Sequence, residues 1–151
     1  MEKKIFIQQE VENETLKYFR GDDLATRVWA TKYALKDSFG NIYELTPDDM
    51  HRRLASEIAR IESKYPNPLS KEELFELLRD FKYIVPQGSP MTGIGNEYQV
   101  ASLSNCFVIG FDGDSDSYGA IIKIDEEQVQ LMKRRGGVGH DLSHIRPKGS
   151  P

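Results

Sequence analysis

The sequence predicts an α/β chain that is mostly α: an all-helical front over residues 1–85, then a loop, a strand, a helix and a glycine loop over 86–151. Three observations predict this. Capped stretches with apolar residues at three- and four-residue spacing fill the front. The run Cys106-Phe107-Val108-Ile109 is continuously apolar, as in a strand covered on both faces. A strongly helical run, Asp125 to Arg135, then leads into three glycines within four residues, Gly136, Gly137 and Gly139.

Asn13 to Arg20 reads as a short helix closed by Gly21. Asp22 to Lys36 reads as a second, with acidic residues in its first turn and Leu24, Val28, Trp29 and Leu35 as its apolar face. Asp37 to Asn41 is a turn. The clearest helix starts at Thr46-Pro47-Asp48-Asp49, with Thr46 as N-cap and Pro47 at the first helical position. Met50, Leu54, Ile58, Ile61 and Tyr65 then share one face, and Pro66 and Pro68 stop the helix. Ser70 and Glu73 form a capping box ahead of Leu74, Leu77, Leu78 and Phe81. From Tyr83 the composition changes: IVPQGSPMTGIGNEYQ is rich in proline and glycine and is expected to be irregular. Val100 to Phe111 carries the strand signal, Gly110 to Gly113 a turn, and Asp116 or Ser117 caps a helix reaching Arg135. A lone strand needs hydrogen-bonded neighbours, and only Lys4 to Gln8 offers a weak second strand.

The bulk numbers narrow the classes. A net charge of −4 gives no chain-wide basic field, so nucleic acid is not an expected partner; Lys133-Arg134-Arg135 reads as a solvated helix end. No apolar run approaches the ~20 residues a bilayer span needs, and the N-terminus has no signal-peptide core, so a cytoplasmic protein without a membrane partner is expected. One cysteine excludes an internal disulfide and a cysteine-rich zinc site.

Three places carry candidate chemistry. Cys106 follows Leu103-Ser104-Asn105 and sits toward a strand end, where ligands are met, although a lone cysteine in an apolar strand is also a common buried hydrophobe. Arg135-Gly136-Gly137-Val138-Gly139 has more glycine than a helix cap needs and lets backbone approach a bound group, without being a Walker or dinucleotide motif. His140 and His144 stand four apart, but the neighbouring Gly139 and Pro147 disfavour a helix and no third ligand is evident, so no metal is expected.

Four separated segments, DLATRVWATKYALKDSFGNIYELTP, SLSNCFVI, DSYGAI and KRRGGVGHDLSHIRPKGSP, in this order, resemble the catalytic (large) subunit of ribonucleotide reductase. The likeness runs from about Tyr18 onward and is greatest to the adenosylcobalamin-dependent, class II branch. It implies a helical N-terminal domain followed by a ten-stranded α/β barrel, of which this chain holds the first strand and helix. It implies a ribonucleoside-diphosphate reductase in which a thiyl radical removes the 3′ hydrogen and a cysteine pair reduces the 2′ carbon. Cys106 matches the first member of that pair. Ser89, Asn105, Cys106 and Gly137 match substrate contacts. Asp116, Ser117 and Arg146 match the site of an allosteric effector, a deoxynucleoside triphosphate or ATP. Adenosylcobalamin is the implied cofactor, with a radical from a separate metal-containing subunit as the alternative. Thioredoxin or glutaredoxin as reductant, the remainder of the catalytic subunit, and a homodimer are the implied partners. With a single cysteine, the chain is expected to be the N-terminal part of such an enzyme and inactive alone. A non-catalytic nucleotide-binding or assembly module is the other reading.

Overall fold

A computed structural model describes residues 4–110 and 116–151. They form two compact units, Met1–Val100 and Ala101–Pro151. The proline- and glycine-rich stretch from residue 86 has its contacts in the first unit, where Met91 joins the core.

The first unit is helical, as expected. Helix α1, Gln8–Tyr18, starts five residues before the Asn13 that its composition suggested. Val11 and Thr15, both fully buried, anchor it, and the Thr15 hydroxyl donates to the Leu45 carbonyl at 3.2 Å. Helix α2, Asp23–Lys32, is capped by Asp22, whose carboxylate accepts from the Ala25 amide at 2.9 Å. It stops four residues short of Lys36, because Leu35 and Lys36 turn to extended pairing. The Tyr43 amide donates to the Leu35 carbonyl at 2.9 Å, and Lys36 bridges Ile42. Trp29 and Ala30 enter the core, but Leu24 is 70% exposed and does not share their face. The expected strand Lys4 to Gln8 is reduced to one bridge, Phe6 to Ile42.

Helix α3, Pro47–Glu62, opens with Asp49 accepting from the Leu45 and Thr46 amides at 2.9 and 3.2 Å. Met50, His51, Leu54 and Ala55 are buried. Tyr65 lies beyond its end and is 60% exposed, so the apolar face is shorter than the spacing suggested. Helix α4, Lys71–Leu78, carries the Ser70/Glu73 capping box and buries Leu74, Phe75 and Leu78. A 3-10 turn, Arg79–Phe81, follows with Asp80 and Phe81 both left-handed, at φ 55° and 54°. Such non-glycine conformations cost on the order of 1–3 kcal/mol each. The region expected to be irregular holds a short helix, α5, Gly88–Gly93. Ser-Pro at its start suits a first turn, and Thr92 is tied back to the Gly88 carbonyl at 3.1 Å.

An ion pair with little exposure joins these parts. Glu44 is 3% exposed, and its carboxylate accepts from the Leu35 amide at 2.8 Å and from Arg53 Nε at 2.7 Å. Arg53 also donates to the Met91 carbonyl at 2.9 Å and to the Ile94 carbonyl, capping the end of α5. Burial pushes the Glu44 carboxyl above its usual range, against the opposing pull of Arg53 and the Leu35 amide. Gly95, at φ 69°, is required here, since a Cβ would lie 2.9 Å from Arg53 Cγ.

The second unit is a β-α-β arrangement. Strand β1, Cys106–Ile109, pairs in parallel with strand β2, Gly137–His140, and helix α6, Tyr118–Met132, connects them. The strand is shorter than Val100 to Phe111; Phe111 and the expected turn residues 112–113 lie outside the described residues. The expectation that the chain lacked a convincing second strand is corrected by β2. The glycine-rich segment expected to be a loop supplies it.

Arg53→Met leaves the Glu44 carboxylate buried without its partner. It is expected to destabilise the first unit by about 3–5 kcal/mol, the scale for breaking a buried pair. The Glu44→Gln, Arg53→Met double variant should lose less than the sum of the singles. Urea unfolding followed by fluorescence of Trp29, the one tryptophan, measures both.

Candidate functional site

Position along β1 decides what Cys106 faces. Side chains alternate along a strand. Phe107 and Ile109 are half-buried toward α6, whereas Cys106 is exposed and Val108 is 87% exposed on the other face. The sequence expected cover on both faces; among the described residues one face is covered. Cys106 is therefore an accessible thiol rather than a buried hydrophobe.

Gly137 lies directly across from Cys106, and the pairing continues Phe107–Val138, Val108–Gly139 and Ile109–His140. The Gly137 amide donates to the Asn105 carbonyl at 2.6 Å. Asn105, Cys106 and Gly137, predicted separately from two distant segments, thus form one contiguous group. A glycine opposite the thiol leaves the space beside the sulfur free of a neighbouring side chain.

The glycines do not cap the preceding helix. Arg135 takes the left-handed position at φ 68°, its amide donating to the Met132 carbonyl at 3.0 Å while the Gly136 amide reaches the Leu131 carbonyl at 3.0 Å. That is the Schellman pattern with arginine where glycine usually sits. Gly136 is needed for close approach instead, because a Cβ there would meet the Phe107 ring at 2.8 Å.

Asp116, Ser117 and Arg146 also converge. Ser117 caps α6, accepting from the Ala120 amide at 3.2 Å. Asp116 holds Arg146 twice, accepting from its backbone amide at 3.0 Å and from Nε at 2.5 Å. The guanidinium also donates to the Asp116 and Pro151 carbonyls at 3.4 and 2.6 Å. Ser89 belongs to the first unit, in α5, and is 3% exposed.

His140 ends β2 and His144 lies in the turn after it, so the two do not share a helix face. Asp141 accepts from the Ser143 amide and hydroxyl at 2.8 and 2.5 Å, which hold its carboxyl below the usual range. A cavity of about 300 Å³ beside them is lined mainly by Ile109, Ile121, Ile124, Leu142 and Ile145. Among the described residues no group of His, Cys, Asp or Glu could hold a metal ion. None of their helices is long and apolar enough to cross a membrane.

Two family models match the chain. Residues 19–93 match "Ribonucleotide reductase, all-alpha domain", and residues 104–151 match "Ribonucleotide reductase, barrel domain". The chain belongs to the ribonucleotide reductase large-subunit family. The family is one of oxidoreductases that make deoxyribonucleotides. No curated protein matches the chain. The all-alpha match covers α2 to α5, and the barrel match covers the whole β-α-β arrangement of this reductase chain.

Sequence reasoning missed β2, Arg135 as the helix terminator, and the Glu44–Arg53 pair. The signal for β2 was topological: a strand followed by a helix of this length ordinarily returns to a parallel neighbour.

Gly136→Ala should force the Phe107 ring aside and loosen the β1–β2 pairing at a cost of about 1–3 kcal/mol. Hydrogen exchange should accelerate at β-ladder amides of residues 106–109 and 137–140, while mid-α6 amides stay protected.

Proposed function

We propose that this chain contributes the helical N-terminal part and the opening strand of a ribonucleotide reductase catalytic subunit acting on ribonucleoside diphosphates in the cytoplasm. The observation that carries the reading is Cys106, an exposed thiol at the start of β1, facing Gly137 and adjoining Asn105. Removal of a 2′ hydroxyl needs two electrons and releases water. Two thiols supply them: one proton leaves with the hydroxyl as water, the other hydrogen ends on the 2′ carbon, and the sulfurs join as a disulfide. Cys106 is assigned as the thiol that helps protonate the departing hydroxyl. Because it is the one cysteine of these residues, the second and the radical-bearing sulfurs come from further polypeptide in the assembled enzyme. Thioredoxin or glutaredoxin then reduces the disulfide.

Asn105, Gly137 and Ser89 are the proposed substrate contacts. Asp116, Ser117 and Arg146 are the proposed effector contacts, where an arginine fork suits a triphosphate. A homodimer is the proposed assembly. Adenosylcobalamin is the proposed radical source, its carbon–cobalt bond generating the radical when it is bound. None of the described residues is assigned to hold it.

In the assembled enzyme, Cys106→Ser is expected to abolish repeated turnover with thioredoxin, at a stability cost of only ~1 kcal/mol. A serine variant that reduces nucleotides at the wild-type rate through many turnovers removes Cys106 from the mechanism. Arg146→Ala is expected to weaken effector binding about ten- to a hundred-fold, as loss of a charge-assisted hydrogen bond of ~1.5–3 kcal/mol would. Calorimetry with deoxynucleoside triphosphates reads this directly.

A further inference from the structure

Beside the Arg79–Phe81 turn, the first unit buries polar atoms that find no partner within the protein. His51, on α3, is 0% exposed, and neither ring nitrogen has a hydrogen-bond partner among protein atoms. Asp48 Oδ1, one turn earlier, is likewise buried and unpartnered, and lies 3.9 Å from His51 Nδ1, beyond hydrogen-bond reach. The Tyr18 hydroxyl, at the end of α1, is a further buried oxygen with no partner at hydrogen-bond distance, and the group it faces is Asp80. These groups share one electrostatic neighbourhood, since the Asp48 and Asp80 carboxylates act on both Tyr18 and His51. Burial, with those carboxylates, holds the tyrosine hydroxyl well above its ordinary range, and burial holds the imidazole below its own.

Aromatic rings pack against this neighbourhood. Phe81 meets His51 edge-on, with ring centroids 4.6 Å apart at 74°, and stacks on Phe19 at 6.2 Å and 20°. The left-handed backbone at Asp80 and Phe81 is the conformation that carries this ring.

Buried donors and acceptors in native proteins are almost always satisfied, and enclosed polar spaces with several converging groups are where internal water sits. Neutral imidazole offers one N–H and one lone pair, the phenol both donates and accepts, and the carboxylate accepts. That mixture matches water, which donates and accepts. It does not match a metal ion, and among the described residues no group of ligands could hold one. We propose that α1, α3 and the 79–81 turn enclose a hydration site, in which ordered water completes the hydrogen bonds of Tyr18, Asp48 and His51.

Oxygen-17 relaxation dispersion of water, recorded on the full chain, reads internal water of long residence. The wild-type chain should show a dispersion whose amplitude falls in Tyr18→Phe, which removes one oxygen, and in His51→Phe, which removes both nitrogens. Both variants should keep or raise Tm, because an apolar ring replaces a buried polar group that has no protein partner. If His51→Phe does not fold, the comparison with Tyr18→Phe decides. No dispersion in the wild type, or an unchanged amplitude in either folded variant, overturns the proposal. So does a Tm that rises on adding ammonium or magnesium chloride at constant ionic strength, which would make the occupant a cation.

Discussion

The first unit is organised around one charge that cannot leave and cannot stand alone. Glu44 is almost wholly withdrawn from water, so its carboxylate must be answered by hydrogen bonds or by a cation. The Leu35 amide answers from the extended segment after α2, and Arg53 answers from α3. Arg53 in turn takes two carbonyls of α5, including the one that ends it. Segments from four parts of the chain are thereby held in register by a single carboxylate–guanidinium contact. A well-packed apolar pair of similar volume would hold them as firmly, but would leave those carbonyls without donors.

In the second unit the governing requirement is backbone pairing. A four-residue strand has too little apolar contact to stand by itself, and β1 meets the requirement with a partner that is half glycine. Glycine is a poor strand former because it has no side chain to pack and loses much conformational freedom. Its advantage here is space. Gly136 admits the Phe107 ring, and Gly137 leaves the flank of Cys106 open. The same absence of side chains that weakens the pairing is what makes the thiol approachable.

Legibility in the sequence follows from these two requirements. The Thr46 and Ser70 starts could be read because capping is local: every residue involved lies within four positions. The length of α2 could not be read, because Lys32 to Lys36 has ample helical propensity and stops only where Ile42 and Glu44 claim its backbone from elsewhere. Strand β2 was hidden by composition, since GVGH carries no strand propensity to speak of and owes its conformation to β1. Among the site residues, the motifs brought Asn105, Cys106 and Gly137 to notice one by one. Their adjacency is tertiary and became visible only through the parallel register. The Asp116–Arg146 pairing, thirty residues apart, is of the same kind.

Arginines at left-handed helix ends have an evolutionary consequence. Arg20 and Arg135 both occupy the position after a helix where glycine would sit without strain, at φ 54° and 68°. Each helix end therefore carries backbone strain that a single substitution to glycine relieves. A lineage of this protein under thermal selection has two such routes available that alter neither the thiol, nor the clasped arginine, nor the core. The helical scaffold can thus drift toward hotter conditions while the surface beside Cys106 stays as it is.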